Sequence, residues 1–196
     1  MILTLTGASG AGKTTIARSL LGELPLDVMM VPSYTTRKPR DTDIEGEYKY
    51  VSELRFRFLK KINSFLWTVY PHGNSYGTTT RWVTKALRDD NTAYIMILTP
   101  DAVAKLMSFA EKVSCADKIF SFCVLSPTQE ILRKRLMARG DKEEEIERRL
   151  ADCVEWDYKA KTSGIPYEFV ENNDTVESVT KEIVVHFLER FGDDWF

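Results

Sequence analysis

Residues Gly7 to Thr14 read G-A-S-G-A-G-K-T, a glycine-rich run that closes on a lysine and a threonine. Glycines at 7, 10 and 12 let backbone N–H groups face an anion without side-chain obstruction. In such a loop Lys13 reaches the β- and γ-phosphates of a triphosphate, and the Thr14 hydroxyl takes one position on Mg²⁺. This chemistry needs an ordered element on each side. Ile2 to Thr6 is an apolar run with branched residues, suited to a buried strand, and Lys13 to Glu23 has the pattern of a helix. A helix that starts at the lysine adds its N-terminal partial charge to the cradle. The expected triphosphate site is therefore Gly7, Ala8, Ser9, Gly10, Ala11, Gly12, Lys13, Thr14 and Thr15.

Moving a phosphoryl group onto a second phosphate requires a second anion site facing the first, because the two anions repel. S-Y-T-T-R-K-P-R at 33–40 offers one. Arg37 and Arg40, three apart and braced by Pro39, are forked donors suited to a phosphate dianion. Tyr48 and Tyr76 add phenolic donors. Taken alone, the segment reads more readily as a solvated basic loop.

The chain has 196 residues and a net charge of −2, which suits one α/β domain with inserts and gives no general affinity for nucleic acid. Cys115, Cys123 and Cys153 lack metal-ligand spacing and suit a reduced, cytoplasmic protein. No apolar stretch approaches the roughly 18 residues of a membrane span. Strands are expected at Asp27 to Val31, Tyr48 to Val51, Phe65 to Tyr70, Thr92 to Leu98, Lys118 to Leu125 and Tyr167 to Val170. Helices are expected at Glu53 to Asn63, Arg81 to Arg88, Asp101 to Val113, Pro127 to Ala138, Glu143 to Lys161 and from Val176 onward. Ser33 to Glu47 reads as too polar for core. Alternating strands and helices predict a parallel sheet flanked by helices, with an inserted subdomain at 33–80.

S-Y-T-T-R-K-P-R at 33–40, E-G-E-Y-K-Y-V-S at 45–52, H-G-N-S-Y-G-T at 72–78 and R-L-M-A-R-G at 135–140 follow one another in the order of the guanylate kinase signature blocks. With the phosphate loop, nearly the whole chain resembles that family. The resemblance implies the nucleotide-kinase fold of phosphate-loop proteins, with a nucleoside-monophosphate-binding subdomain at 33–80 and a lid at 139–150 on a core of 1–32, 81–138 and 151–196, and transfer of the γ-phosphate of ATP, with Mg²⁺, to GMP or dGMP. It implies that Arg37, Arg40, Tyr48 and Tyr76 hold the acceptor's phosphate while Ser33 and Thr78 touch its base. Arg135, Arg139 and Arg149 match the arginines that neutralise the transferring group, and Asn173 with Asp174 matches a pair near the donor adenine. A monomer or homodimer without nucleic-acid or membrane partners is expected.

The pattern breaks in the base pocket. Guanine presents N–H donors, and the family meets them with carboxylates. Trp67 stands where a glutamate is expected, and its indole can only donate. Met96 and Leu98 stand where the strand should end in two aspartates, leaving Asp101 as the nearest substitute. Three readings follow: a GMP kinase, the same chemistry on a different or modified base, or a non-catalytic phosphopeptide-binding module of the kind that resembles this family. The intact phosphate loop speaks against the third.

Overall fold

The computed structural model describes residues 1–24, 27–41, 43–70, 73–138, 140–173 and 175–191, so His72, Arg139 and Asp174 lie outside the described residues. In chain order come β1 (Ile2–Thr6), α1 (Lys13–Glu23), β2 (Asp27–Met30), β3 (Ser33–Thr35), β4 (Tyr48–Tyr50), α2 (Glu53–Lys61), β5 (Phe65–Val69), β6 (Tyr76–Thr79) and α3 (Thr80–Arg88). There follow β7 (Thr92–Ile97), α4 (Pro100–Lys112), a 3-10 turn (Ala116–Lys118), β8 (Ile119–Leu125), α5 (Gln129–Ala138), α6 (Glu143–Thr162), β9 (Glu168–Glu171) and α7 (Val176–Phe191).

One sheet has the order β2-β7-β1-β8-β9, the other β4-β3-β6-β5. In the first, β2 pairs with β7 and β8 with β9 in parallel. Strands β1 and β8 are buried along their whole length, as near-continuous apolar runs must be when helices cover both faces. No helix among the described residues is long and apolar enough to cross a membrane.

The chain forms two compact units. One comprises Met1–Leu3, Pro25–Met96 and Asp101–Ile119, the other Thr4–Leu24, Ile97–Pro100 and Phe120–Phe196. In the first unit the four-stranded sheet packs its reverse face on α2. Phe65 stacks on Phe56 at 4.7 Å between ring centroids and meets Tyr34 edge-on at 5.8 Å. In the second unit α1 lies on α7 and α5 on α6.

Two strands depart from the sequence expectation. Ser33–Thr35 forms β3 inside the stretch expected to be too polar for core, and Thr35, Arg37 and Glu47 there are buried. Their polar atoms are satisfied locally: Thr35 Oγ1 accepts from the Arg37 amide, and the Glu47 carboxylate accepts from the Ile44 amide. Tyr76–Thr79 forms β6, where Gly77 disguises the alternation of a strand. These two are the inner strands of the smaller sheet.

Gly77 is required by packing: a Cβ there would stand 2.9 Å from a Phe65 ring carbon. Gly77→Ala is expected to destabilise the protein by about 1–3 kcal/mol in urea unfolding, as overpacked core sites do. Adding Phe65→Leu should recover part of that loss; an unchanged midpoint in Gly77→Ala would show that the ring is not fixed there.

Candidate active site

The phosphate loop, in the second unit, is held by contacts that only glycine permits. A Cβ on Gly7 would fall 2.3 Å from the Val124 carbonyl oxygen. Gly12 has φ 94, in the left-handed region, and a Cβ on it would fall 2.3 Å from Asn172 Nδ2. Between them Ala8 is anchored in a core with Leu132, Leu136, Ile146, Leu150 and Cys153 of α5 and α6. Helix α1 starts at Gly12 with no side-chain cap and no acidic residue in its first turn, whereas Ser52 and Thr79 cap α2 and α3. Its start is thus left to an anion.

Three cations approach this loop. Lys13 Nζ donates to the Ala8 carbonyl at 2.6 Å, and burial lowers its pKa to about 8. Arg135 Nη2 donates to the Asn172 carbonyl at 3.1 Å, and Arg149 Nη1 to Ser9 Oγ at 2.8 Å. Ser9, Lys13, Thr14, Arg135 and Asn172 line one cavity of about 430 Å³, within the range of small-molecule sites. Thr15 lies at its rim. The third expected arginine, Arg139, lies outside the described residues. Asn173 Oδ1 accepts from the Thr128 amide and its Nδ2 donates to Glu171. The asparagine that reaches the loop is Asn172, almost fully buried, whose Nδ2 donates to the Ala11 carbonyl at 2.7 Å. The sequence gives no means of choosing between the adjacent asparagines.

Of the expected acceptor residues, Ser33, Tyr48, Trp67, Tyr76 and Thr78 gather in the first unit on one face of the smaller sheet, and Asp101 does not join them. Ser33 is in register with Tyr48 across β3 and β4, and Thr78 with Trp67 across β6 and β5. Ser33 Oγ and Thr78 Oγ1 are hydrogen-bonded at 2.9 Å, which completes a row Tyr48, Ser33, Thr78, Trp67 over four strands. One step along, Thr35 pairs with Tyr76, whose ring meets Tyr48 edge-on at 6.1 Å. Arg37 lies over the Tyr48 ring at 4.9 Å. Trp67 is buried at 5% exposure. Met96 and Leu98 are buried too, so the end of β7 carries apolar side chains where carboxylates were sought. Asp101 is exposed on the first turn of α4, in a groove with Leu66, Lys105 and Phe109.

Two acidic residues that the sequence reading passed over organise this face. Asp43 Oδ1 accepts from Arg37 Nη2 at 2.7 Å, and its Oδ2 accepts from the Arg40 amide at 2.8 Å and the Tyr50 hydroxyl at 2.5 Å. Burial alone would raise the Asp43 pKa, but these hydrogen bonds outweigh it and hold the carboxyl below its ordinary value. Burial, then the charge of Glu47 and a hydrogen bond to it, push the Tyr48 phenol up, so Tyr48 stays a neutral donor. The Arg40 side chain is exposed. The signal that could have found Asp43 is its place three residues after Arg40, within reach of a side-chain bond back to that amide.

Lys13 sets a pH dependence with a definite sign. Its free pKa of about 8 comes from desolvation, and an anion in the cavity favours the charged form. Binding of ATP near pH 9 should therefore take up a substantial fraction of a proton, and affinity should fall as pH rises above about 8. Calorimetry in buffers of different ionisation enthalpy reads the uptake directly. A heat independent of buffer, or an unchanged uptake in Lys13→Met, would exclude Lys13 as the responding group.

The family model described as guanylate kinase matches residues 1–190. The chain is 31% identical over 185 residues to the guanylate kinase of Symbiobacterium thermophilum, covering 93% of this chain and 82% of that one. It is 32% identical over 201 residues to that of Helicobacter pylori, covering 97% and 91%. The crystal structure of guanylate kinase from Anaplasma phagocytophilum superposes with a TM-score of 0.69 at 20% identity, covering 98% of this chain and 87% of that one, and so supports the fold. Sequence match over nearly the full length and a phosphate loop with its cations agree: the chain belongs to the guanylate kinase family.

Proposed function

We propose that the chain transfers the γ-phosphoryl group of ATP to a nucleoside monophosphate, with GMP or dGMP as the acceptor that its relatives imply. The observation that carries the reading is the convergence of Lys13, Thr14 and Arg135 on one cavity at an uncapped helix start. An oxygen of the acceptor's phosphate attacks the γ-phosphorus, the bond to the β–γ bridging oxygen breaks, and ADP leaves. The attacking oxygen is already ionised, so no general base is needed. Lys13, Arg135 and Arg149 supply positive charge as the phosphoryl group moves, and we assign Arg139 the same role from the family pattern. Arg37 and Arg40 bind the acceptor's phosphate, Tyr48 and Tyr76 donate to it, and Ser33 and Thr78 meet the base.

The residues suit Mg²⁺. Thr14 offers one hydroxyl, and no group of three or more His, Cys, Asp or Glu side chains forms a metal site among the described residues. Phosphate oxygens and water would supply the other ligands, as Mg²⁺ prefers. The ion would neutralise phosphate charge when bound with ATP.

A second reading, a different or modified acceptor base, is favoured by Trp67. It occupies the base end of the acceptor row, buried and in register with Thr78, and leaves a guanine N–H without the acceptor a glutamate would give. Initial rates with ATP against a panel of purine and pyrimidine monophosphates test both readings. Turnover of at least one is expected, with a preference for GMP that Trp67→Glu raises by roughly tenfold, the value of one buried donor gaining a partner. Wild type already strongly selective for GMP, with no gain in Trp67→Glu, would remove the second reading. Absence of turnover with every monophosphate would overturn the first and favour a phosphopeptide-binding module.

A further inference from the structure

On the reverse face of the smaller sheet lies a cleft of about 820 Å³ that phosphoryl transfer leaves unused. Strand alternation creates it. Tyr34 lies between Ser33 and Thr35, and Lys49 between Tyr48 and Tyr50, so both leave the sheet opposite the acceptor row, in register with each other. Asn63 at the end of α2, with Arg81, Trp82 and Lys85 of α3, completes the wall.

The charges of this cleft are unbalanced. Lys49 Nζ stands 4.7 Å from the Trp82 ring centroid and 5.8 Å from that of Tyr34, and Lys85 Nζ stands 5.3 Å from the same indole. Among the described residues neither lysine, nor Arg81 beside them, forms an ion pair. Two ammonium groups drawn to one indole repel each other, and an anion between them turns that repulsion into attraction. Three cations suit a phosphate of two or more charges better than a single carboxylate. The Trp82 and Tyr34 rings offer a surface on which a planar group can stack, and the volume is that of a small-molecule site.

We propose that this cleft binds a second, non-substrate ligand: a small phosphorylated molecule with a planar ring, of the size and chemistry of a mononucleotide. Lys49, Arg81 and Lys85 hold its phosphates and Trp82 its ring. The proposal does not depend on which monophosphate the acceptor row takes.

The test follows the indole N–H resonance of Trp82, assigned with Trp82→Phe, in the full chain carrying Lys13→Ala to silence turnover. ADP, GDP and inorganic pyrophosphate are the probes. ADP or GDP should shift the resonance saturably, with pyrophosphate weaker by about tenfold or more because it lacks the ring. Adding Lys49→Ala and Lys85→Ala should weaken the nucleotide response by at least about tenfold. Lys49→Ala/Lys85→Ala alone should leave turnover with ATP near that of wild type, since neither lysine belongs to the acceptor row or the phosphate loop. A Trp82 resonance that no nucleotide moves, or one that responds equally after loss of both lysines, would overturn the proposal. Pyrophosphate binding as tightly as the nucleotides would overturn the role of the ring.

Discussion

Cations withdrawn from water to hold phosphate have to be held by something else when no phosphate is bound, whereas the exposed Lys49, Arg81 and Lys85 keep their water; at the phosphate loop and beside Tyr48 that something is an oxygen of the chain. Lys13 leans on the Ala8 carbonyl, Arg135 on Asn172, Arg149 on Ser9 and Glu145, and Arg37 on Asp43. The arrangement follows from the cost of burying a charge without a partner. It also decides which neighbours the sites must have. Asn172 braces the loop and receives an arginine; Asp43 ties Arg37, the Arg40 backbone and Tyr50 together. The cations are thereby positioned before any substrate arrives, which limits the ordering cost of binding.

The same demand explains why the inner strands of the smaller sheet are polar. Ser33, Thr35 and Thr78 would be poor choices for a strand packed in apolar surroundings on both faces, but here one face carries the row that we propose as the acceptor surface and the other carries Tyr34 and Phe65 against α2. Gly77 lets Phe65 close up beneath β6. A strand three or four residues long with small hydroxyl side chains is stabilised by its ladder and by cross-strand hydrogen bonds such as Ser33 to Thr78, not by hydrophobic alternation.

This is also where the sequence became hard to read. The buried strands β1, β7 and β8 were legible as near-continuous apolar runs, and the helices because their apolar residues recur with the helical period. The phosphate loop was legible because its chemistry is local, set by spacing along the chain. β3 and β6 were not, since three or four residues show no period and their burial depends on partners distant in sequence, such as Thr35 beside Tyr76. Asn172 was not legible as a brace of the loop, because its bond to the Ala11 carbonyl joins residues far apart in the chain. Asp43 was passed over because an acidic residue beside two arginines reads as solvated charge until Arg37 is seen to be buried at 8% exposure.

If Asp43 stands in for the acceptor's phosphate, its removal should matter most when that phosphate is absent. The direct measurement is the unfolding free energy of Asp43→Ala against wild type in urea, with and without a saturating monophosphate acceptor. In the free protein the variant should lose about 3–5 kcal/mol, the cost of leaving a buried guanidinium unpaired. With the monophosphate bound at least half of that loss should disappear, since the ligand supplies the missing anion. An equal loss in both conditions would contradict the account and make Asp43 an ordinary structural partner of the loop.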